Sequence, residues 1–187
     1  MKVTPTAIPD VIIIEPAVFE DDRGWFMESF NQQKFHEALQ QLGLPIPRPF
    51  VQDNHSCSKK GVLRGFHYQL PPYAQGKLVR VVKGAAFDVA VDIRSTSATF
   101  AKHVAVELSA ENHRMLWIPE GFAHGFVALE DDTHFLYKAT DFYNQKNEQS
   151  IRWDDPVISI CWPLADSLII SAKDISAKLL TAPDRIP

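Results

Sequence analysis

Phe87-Asp88-Val89-Ala90-Val91-Asp92-Ile93 alternates apolar side chains with Asp, Ala and Asp. Successive side chains of an extended chain point to opposite faces, so this stretch predicts a strand with one face packed inward and the other able to carry polar groups. Segments of similar make-up flank it. Phe50 to His55, Val62 to Gln69 and Lys77 to Val82 precede it, and His103 to Leu108, Met115 to Pro119, Gly121 to Leu129 and Thr133 to Thr140 follow, with Gly, Pro, Asp and Asn between them. Short β-branched and aromatic runs separated by turn residues are the pattern of an all-β sandwich or barrel. A sandwich with one lined interior is expected.

Towards the N-terminus, Val11 to Ile14 and Trp25 to Phe30 are further strand candidates, the second after the turn signal Asp21-Asp22-Arg23-Gly24. Gln32 to Leu42 sets Phe35, Leu39 and Leu42 on one side of a helix. Gly43 to Pro49 contains three prolines, which remove backbone donors and disfavour helix before them, so an irregular connector is expected. After Trp162-Pro163 the chain turns polar, with helix at most around Ser171 to Leu180 and no second core. The expected organisation is one domain over residues 1–187 with a few short peripheral helices.

Composition narrows the function classes. With 45% hydrophobic residues and 22% charged, the 187-residue chain can bury a core. Nineteen Lys and Arg against 23 Asp and Glu leave a formal charge of -4, which gives no footing to a nucleic-acid binder. Apolar runs such as Val11-Ile12-Ile13-Ile14 are far shorter than the ~20 residues of a membrane span, and a soluble, cytoplasmic protein is expected. Cys57 and Cys161 stand apart in sequence, which suggests neither a disulfide framework nor a paired-cysteine metal site.

Two histidines stand out by their settings: His67 in Arg64-Gly65-Phe66-His67-Tyr68-Gln69, and His124 in Pro119-Glu120-Gly121-Phe122-Ala123-His124. Taken singly, either reads as an ordinary buried histidine with one hydrogen bond. The Pro-x-Gly-x-x-His spacing, however, resembles the second signature of the cupin barrels, and His67 falls where the first begins. This supports a jelly roll. Metal-binding cupins place a second histidine two positions after the first and then a carboxylate. Here Tyr68-Gln69 follows, and the next strongly placed side chain is the cationic Lys77, so a site without metal is the better reading. A basic histidine and a lysine suit proton abstraction beside a ketone, where negative charge moves onto the carbonyl oxygen.

Four ordered blocks, Asp22 to Phe30, Val51 to Ser56, Val62 to Gln69 and Trp117 to Phe126, followed by Phe135-Leu136-Tyr137-Lys138 and Ser171-Ala172-Lys173-Asp174, closely resemble the dTDP-4-dehydrorhamnose 3,5-epimerase family. The resemblance runs from about the N-terminus to Asp174. It implies a cupin-like jelly roll, a homodimer, the substrate dTDP-4-keto-6-deoxyglucose, and no metal or nicotinamide. The catalytic residues it implies are His67 as base, Asp174 as its partner, Tyr137 as proton donor and Lys77 facing the C4 oxygen. It also implies that Arg23, Glu28, Gln52, Asp53, Asn54 and Arg64 contact dTDP or its diphosphate, with His124, Glu148 and Lys173 in the substrate site. Phe19 or Phe26 is a candidate to stack on thymine. Readings that stay open at this point are an epimerase inverting one centre, a keto-isomerase on the same nucleotide sugar, a sugar-binding cupin without turnover, and a metal-dependent cupin oxygenase.

Overall fold

The computed structural model describes residues 1–180; the last seven residues of the expected 1–187 domain lie outside the described part. Its strands are β1 (Lys2–Pro5), β2 (Ile12–Glu15), β3 (Val18–Asp21), β4 (Gly24–Met27), β5 (Gln52–Ser58), β6 (Val62–Gln69), β7 (Lys77–Lys83), β8 (Ala85–Asp92), β9 (His103–Ser109), β10 (Met115–Ile118), β11 (Phe122–Ala128), β12 (Thr133–Ala139), β13 (Glu148–Ser150) and β14 (Ile169–Ile170). Two short helices, α1 (Gln32–Gln41) and α2 (Ala172–Ile175), lie at the periphery. One sheet runs β1-β2-β10-β7-β12-β5 and the other β13-β6-β11-β8-β9, with β14 pairing in parallel to β6 and β3–β4 forming a separate hairpin. The all-β sandwich expected from the strand pattern, with the cupin-like jelly roll that the histidine spacing and the family resemblance imply, is the observed architecture.

Between the sheets lies a core built from both: Val79 and Val81 of β7, Leu116 of β10 and Phe135 of β12 meet Ala90 of β8, Val106 of β9 and Phe126 of β11. The rings of Phe126 and Phe135 stack at 4.0 Å across it. Helix α1 covers the outer side of the first sheet, Phe35 and Leu39 packing on Ile12, Ile14, Leu78 and Trp117. Its ends follow the sequence. Asn31 Oδ1 accepts from the Lys34 amide at 3.1 Å, while Gly43 N–H and Leu44 N–H reach back to Gln40 and Leu39 carbonyls at 3.0 and 2.9 Å, a Schellman stop made possible by φ +70° at Gly43.

Two expectations are corrected here. On β8 the polar face is the inward one: Asp88 lies beside Ala86 and Ala90 facing the inter-sheet core, whereas Val89 and Val91 face outward and are fully buried. Burial on both faces follows from the segment after β13. Ile151, Ile158 and Trp162, joined by Leu168, Ile170 and Leu180, pack on Leu63, Phe66, Val89 and Val91. Scattered apolar residues there suffice because the sheet already supplies a continuous apolar surface. The helix expected around Ser171 to Leu180 is reduced to Ala172–Ile175.

Candidate active site

At one end of the sandwich a cleft of about 680 Å³ opens between the sheets, lined by His67, Lys77, His124, Tyr137, Glu148 and Asp174 among others. Strand β6 enters it beside β11, with His67 opposite His124 in register. The approach of these strands is close at Gly65, where φ is +135° and a Cβ would collide with the Cα of Gly125. A side chain at either glycine would push the two histidine-bearing strands apart.

His67 Nε2 and Asp174 Oδ1 are 2.6 Å apart, although 107 residues separate them. Asp174 reaches this position on α2, whose N-cap Ser171 accepts from the Asp174 amide at 3.1 Å, immediately after β14 has paired with β6. Only 3% of Asp174 is exposed. Burial pushes its pKa up, yet the hydrogen bond and charge of His67, with Ser171 and the Gly65 amide, outweigh this and hold the carboxyl below its ordinary value. With Asp174 accepting from Nε2–H, Nδ1 is the ring nitrogen left free to act as a base.

Lys77 and Tyr137 come from the facing sheet. Lys77 opposes Ala139 on β12, so Lys77 and Tyr137 are diagonal neighbours, and the ammonium lies 6.0 Å from the Tyr137 ring centroid. Lys77 is buried, and its Nζ is 3.4 Å from the carbonyl oxygen of His67. Burial lowers its pKa to about 8, against the raising effect of Glu148 and Asp88. The Tyr137 phenol is pushed up by burial and by the charge of Glu148, which keeps the proton on its oxygen. His124 Nε2 meets Asp88 Oδ1 at 2.7 Å in a fully buried pair.

Around this centre, Glu148 accepts from Lys173 Nζ at 2.5 Å and from Tyr143 Oη at 2.9 Å. These contacts outweigh burial and lower its pKa. Arg64 Nε donates to Ser58 Oγ at 3.2 Å, and Gln52 Nε2 donates to Asn54 Oδ1 at 3.1 Å. Asn54 Nδ2 is buried without a hydrogen-bond partner, an open donor at the cleft wall. Among the described residues, no group of three or more His, Cys, Asp and Glu side chains is placed to hold a metal ion.

Thus His67, Lys77, Tyr137, Asp174, Asn54, Arg64, His124, Glu148 and Lys173 are brought together, with Gln52 at their edge. Asp53, Arg23 and Glu28 are not. Strand alternation turns Asp53 to the opposite face from Gln52 and Asn54, where it pairs with Lys138 at 3.0 Å. Arg23, with a side chain 89% exposed, pairs with Asp21 at 2.5 Å in the β3–β4 hairpin, and Glu28 with Lys34 at 2.9 Å. Phe19 and Phe26 on the same hairpin are exposed as well. Tyr143, Gln69 and Gln75 also line the cleft and were missed by the sequence reading. Tyr143 follows Asp141-Phe142 in a loop, where no alternation marks a facing side chain. Asp88 was missed as the buried partner of His124 because the outward cover of β8 was not foreseen.

A carboxylate-oriented imidazole, a buried ammonium and a protonated phenol facing one cavity from two sheets can remove a proton beside a carbonyl, meet the charge on its oxygen and return a proton from the other side. Comparison with known proteins agrees with this chemistry. A dTDP-4-dehydrorhamnose 3,5-epimerase of Shigella flexneri is 60% identical over 178 residues, 95% of either chain. One of Pseudomonas aeruginosa is 54% identical over 187 residues, the full length of both. The crystal structure of a dTDP-6-deoxy-D-glucose-3,5-epimerase from Legionella pneumophila in complex with dTDP-4-keto-L-rhamnose superposes with a TM-score of 0.91 at 47% identity, covering 99% of this chain and 97% of that one. With the family model described as dTDP-4-dehydrorhamnose 3,5-epimerase matching residues 5–182, the chain belongs to that family.

Proposed function

We propose that this chain is the isomerase that inverts C3 and C5 of dTDP-4-keto-6-deoxy-D-glucose to give dTDP-4-keto-L-rhamnose, on the way to dTDP-L-rhamnose. The observation that carries the reading is the His67–Asp174 pair on one wall of the cleft with Lys77 and Tyr137 on the other. His67 Nδ1 takes the proton from C5, and the C–H electron pair becomes the C4–C5 double bond of an enolate, with charge on the C4 oxygen. Lys77 donates to that oxygen, while Asp174 stabilises the imidazolium. Tyr137 then delivers its phenolic proton to the carbon from the opposite face and recovers one from solvent. Once the His67 imidazolium has passed its proton to solvent and Tyr137 is protonated again, the same base serves C3, which the C4 ketone acidifies equally.

The nucleotide falls to Arg64, Gln52 and Asn54, with Glu148, Lys173 and His124 around the sugar. Arginine suits a diphosphate through its planar fork. Arg23 and Glu28 lie outside the cleft of their own chain, which supports a homodimer in which the β3–β4 hairpin of a second copy brings them to it, with Phe19 or Phe26 free to stack on the base. In this reading residues 1–187 act as one jelly-roll domain in the cytoplasm. No helix among the described residues is long and apolar enough to cross a membrane, and Cys57 and Cys161 are free thiols.

The test is incubation with dTDP-4-keto-6-deoxyglucose in deuterium oxide, with label read at each carbon and product stereochemistry by NMR. Label at C3 and C5 with both centres inverted is expected, and neither label with His67→Ala. Exchange at both carbons in that variant would remove His67 as the base, and inversion at one carbon alone would make the enzyme a mono-epimerase.

A further inference from the structure

Arg48 lies in the proline-rich connector between α1 and β5, outside the cleft, and its guanidinium gathers three loops. Nε and Nη2 donate to Glu120 Oε1 at 3.0 and 2.9 Å, Nη1 donates to Asp141 Oδ2 at 2.6 Å, and Nη2 also reaches the carbonyl oxygen of Ala74. Glu120 sits in the turn between β10 and β11, Ala74 in the loop between β6 and β7, and Asp141 in the loop between β12 and β13. A rigid fork with five donors can hold three acceptors at once in fixed directions, which an ammonium cannot. The ion pairs are half open to water and add little stability by themselves, so the consequence of this clamp is geometric.

Two of the three loops deliver cleft residues. After Ala74, Gln75 Nε2 donates to the Asp141 carbonyl at 2.7 Å, Gly76 N–H donates to Thr140 Oγ1 at 2.8 Å, and Lys77 begins the next strand. After Asp141, whose Oδ1 accepts from the Phe142 amide at 2.7 Å, Tyr143 donates its N–H to Gln52 Oε1 and its hydroxyl to Glu148 Oε2, both at 2.9 Å. Gln69 and Gln75 hold the Tyr143 loop from within the cleft, and Arg48 holds the same loop from outside.

We propose that Arg48 is a positioning residue: by tying Ala74 to Asp141 it fixes Tyr143 over Glu148, opposite the strand that carries Lys77. Its effect on turnover rests on the epimerase reading above, whereas the tie between the loops does not.

The test measures amide hydrogen exchange in residues 141–144 and steady-state kinetics on dTDP-4-keto-6-deoxyglucose for Arg48→Ala, Arg48→Lys, Tyr143→Phe and the Arg48→Ala/Tyr143→Phe double variant. In Arg48→Ala the Tyr143 and Asn144 amides should exchange about tenfold faster. Its kcat/KM should fall roughly tenfold to a hundredfold, carried mostly by KM, the size expected of a displaced cleft group. Arg48→Lys, which keeps the charge and loses the fork, should show most of both effects, and it carries the test if Arg48→Ala fails to fold. In the Tyr143→Phe background the loss of Arg48 should add little. Unchanged exchange at Tyr143 in a folded variant, or effects of Arg48→Ala and Tyr143→Phe that simply multiply, would overturn the assignment. A wild-type protein without turnover would instead refute the epimerase reading, and the exchange result would still decide whether Arg48 holds the loop.

Discussion

Lys77 Nζ stands 3.4 Å from the carbonyl oxygen of His67 and 6.0 Å from the ring of Tyr137, so one ammonium joins the wall that carries the base to the wall that carries the phenol. Burial lowers its pKa to about 8. As pH rises through that value the ammonium loses its proton, and the cation facing the enolate oxygen goes with it. The pH profile of kcat/KM should therefore fall on the alkaline side near pH 8. Lys77→Arg, whose guanidinium stays charged, should move that limb upward even if the plateau is lower. An alkaline limb at the same pH in Lys77→Arg would mean that another group sets it.

The same burial has a cost in stability. A lysine that titrates at about 8 when folded and at its ordinary 10.5 when unfolded binds its proton more tightly in the unfolded chain. The penalty is fully present below pH 8 and is relieved as pH rises through the window up to 10.5, so this group makes stability increase with pH there. Lys77→Met fills similar space without the charge and should raise stability at neutral pH by about 1–3 kcal/mol while abolishing turnover. Urea denaturation of the two proteins at neutral pH measures this directly, and a less stable Lys77→Met would contradict it.

Asp174 orients His67 through a single 2.6 Å contact, and an amide in its place can present N–H where the carboxylate accepted. The ring would then turn its basic nitrogen to the wrong side. Asp174→Asn should lower kcat by roughly 10³–10⁴, the loss seen when a catalytic histidine is held in the wrong tautomer, with affinity for dTDP little changed. Calorimetric titration with dTDP beside the kinetics separates the two effects. A kcat within about tenfold of wild type would rule out a catalytic role for the pair.

The sandwich was legible because β-branched and aromatic runs are set off by turn residues: β5 to β12 lie within a few residues of the stretches so expected. β1, β3, β13 and β14 went unseen, since none carries within it the run of three or more apolar residues that marks β2, β4 and β10, which are no longer than four residues themselves. Alternation gave the phase of β8 and not its inward side, because the cover on the outer face is a loop-rich segment with no pattern of its own. His67 and Lys77 could be reached from residue chemistry. Asp174 could not, as a four-residue helix carries it to a histidine 107 positions away and only the family resemblance linked them. Asp53 shows the converse: the resemblance included it between Gln52 and Asn54, whereas here its carboxylate pairs with Lys138 at 3.0 Å and does not line the cleft. Arg48 was read as part of a proline connector because its partners lie 26, 72 and 93 positions away.

If the hairpin of one chain completes the cleft of another, two different defects placed on different chains should cancel. An Arg23→Ala chain keeps an intact cleft and offers a defective arm, and a His67→Ala chain does the reverse. Each variant alone should be poorly active or inactive. After mixing and subunit exchange, a hybrid dimer would pair the sound cleft of the first with the sound arm of the second, and the mixture should recover about a quarter of wild-type activity, since half the dimers are hybrids with one good site in two. The exposed Arg23, Phe19 and Phe26 would then be covered, and tryptophan emission from Trp25 on the same hairpin should report their burial on dilution and reassociation. Should the mixture show no more than the average of its two components while size exclusion proves that subunits have exchanged, the hairpin serves its own chain, and Arg23 and Glu28 have no part in the neighbouring cleft.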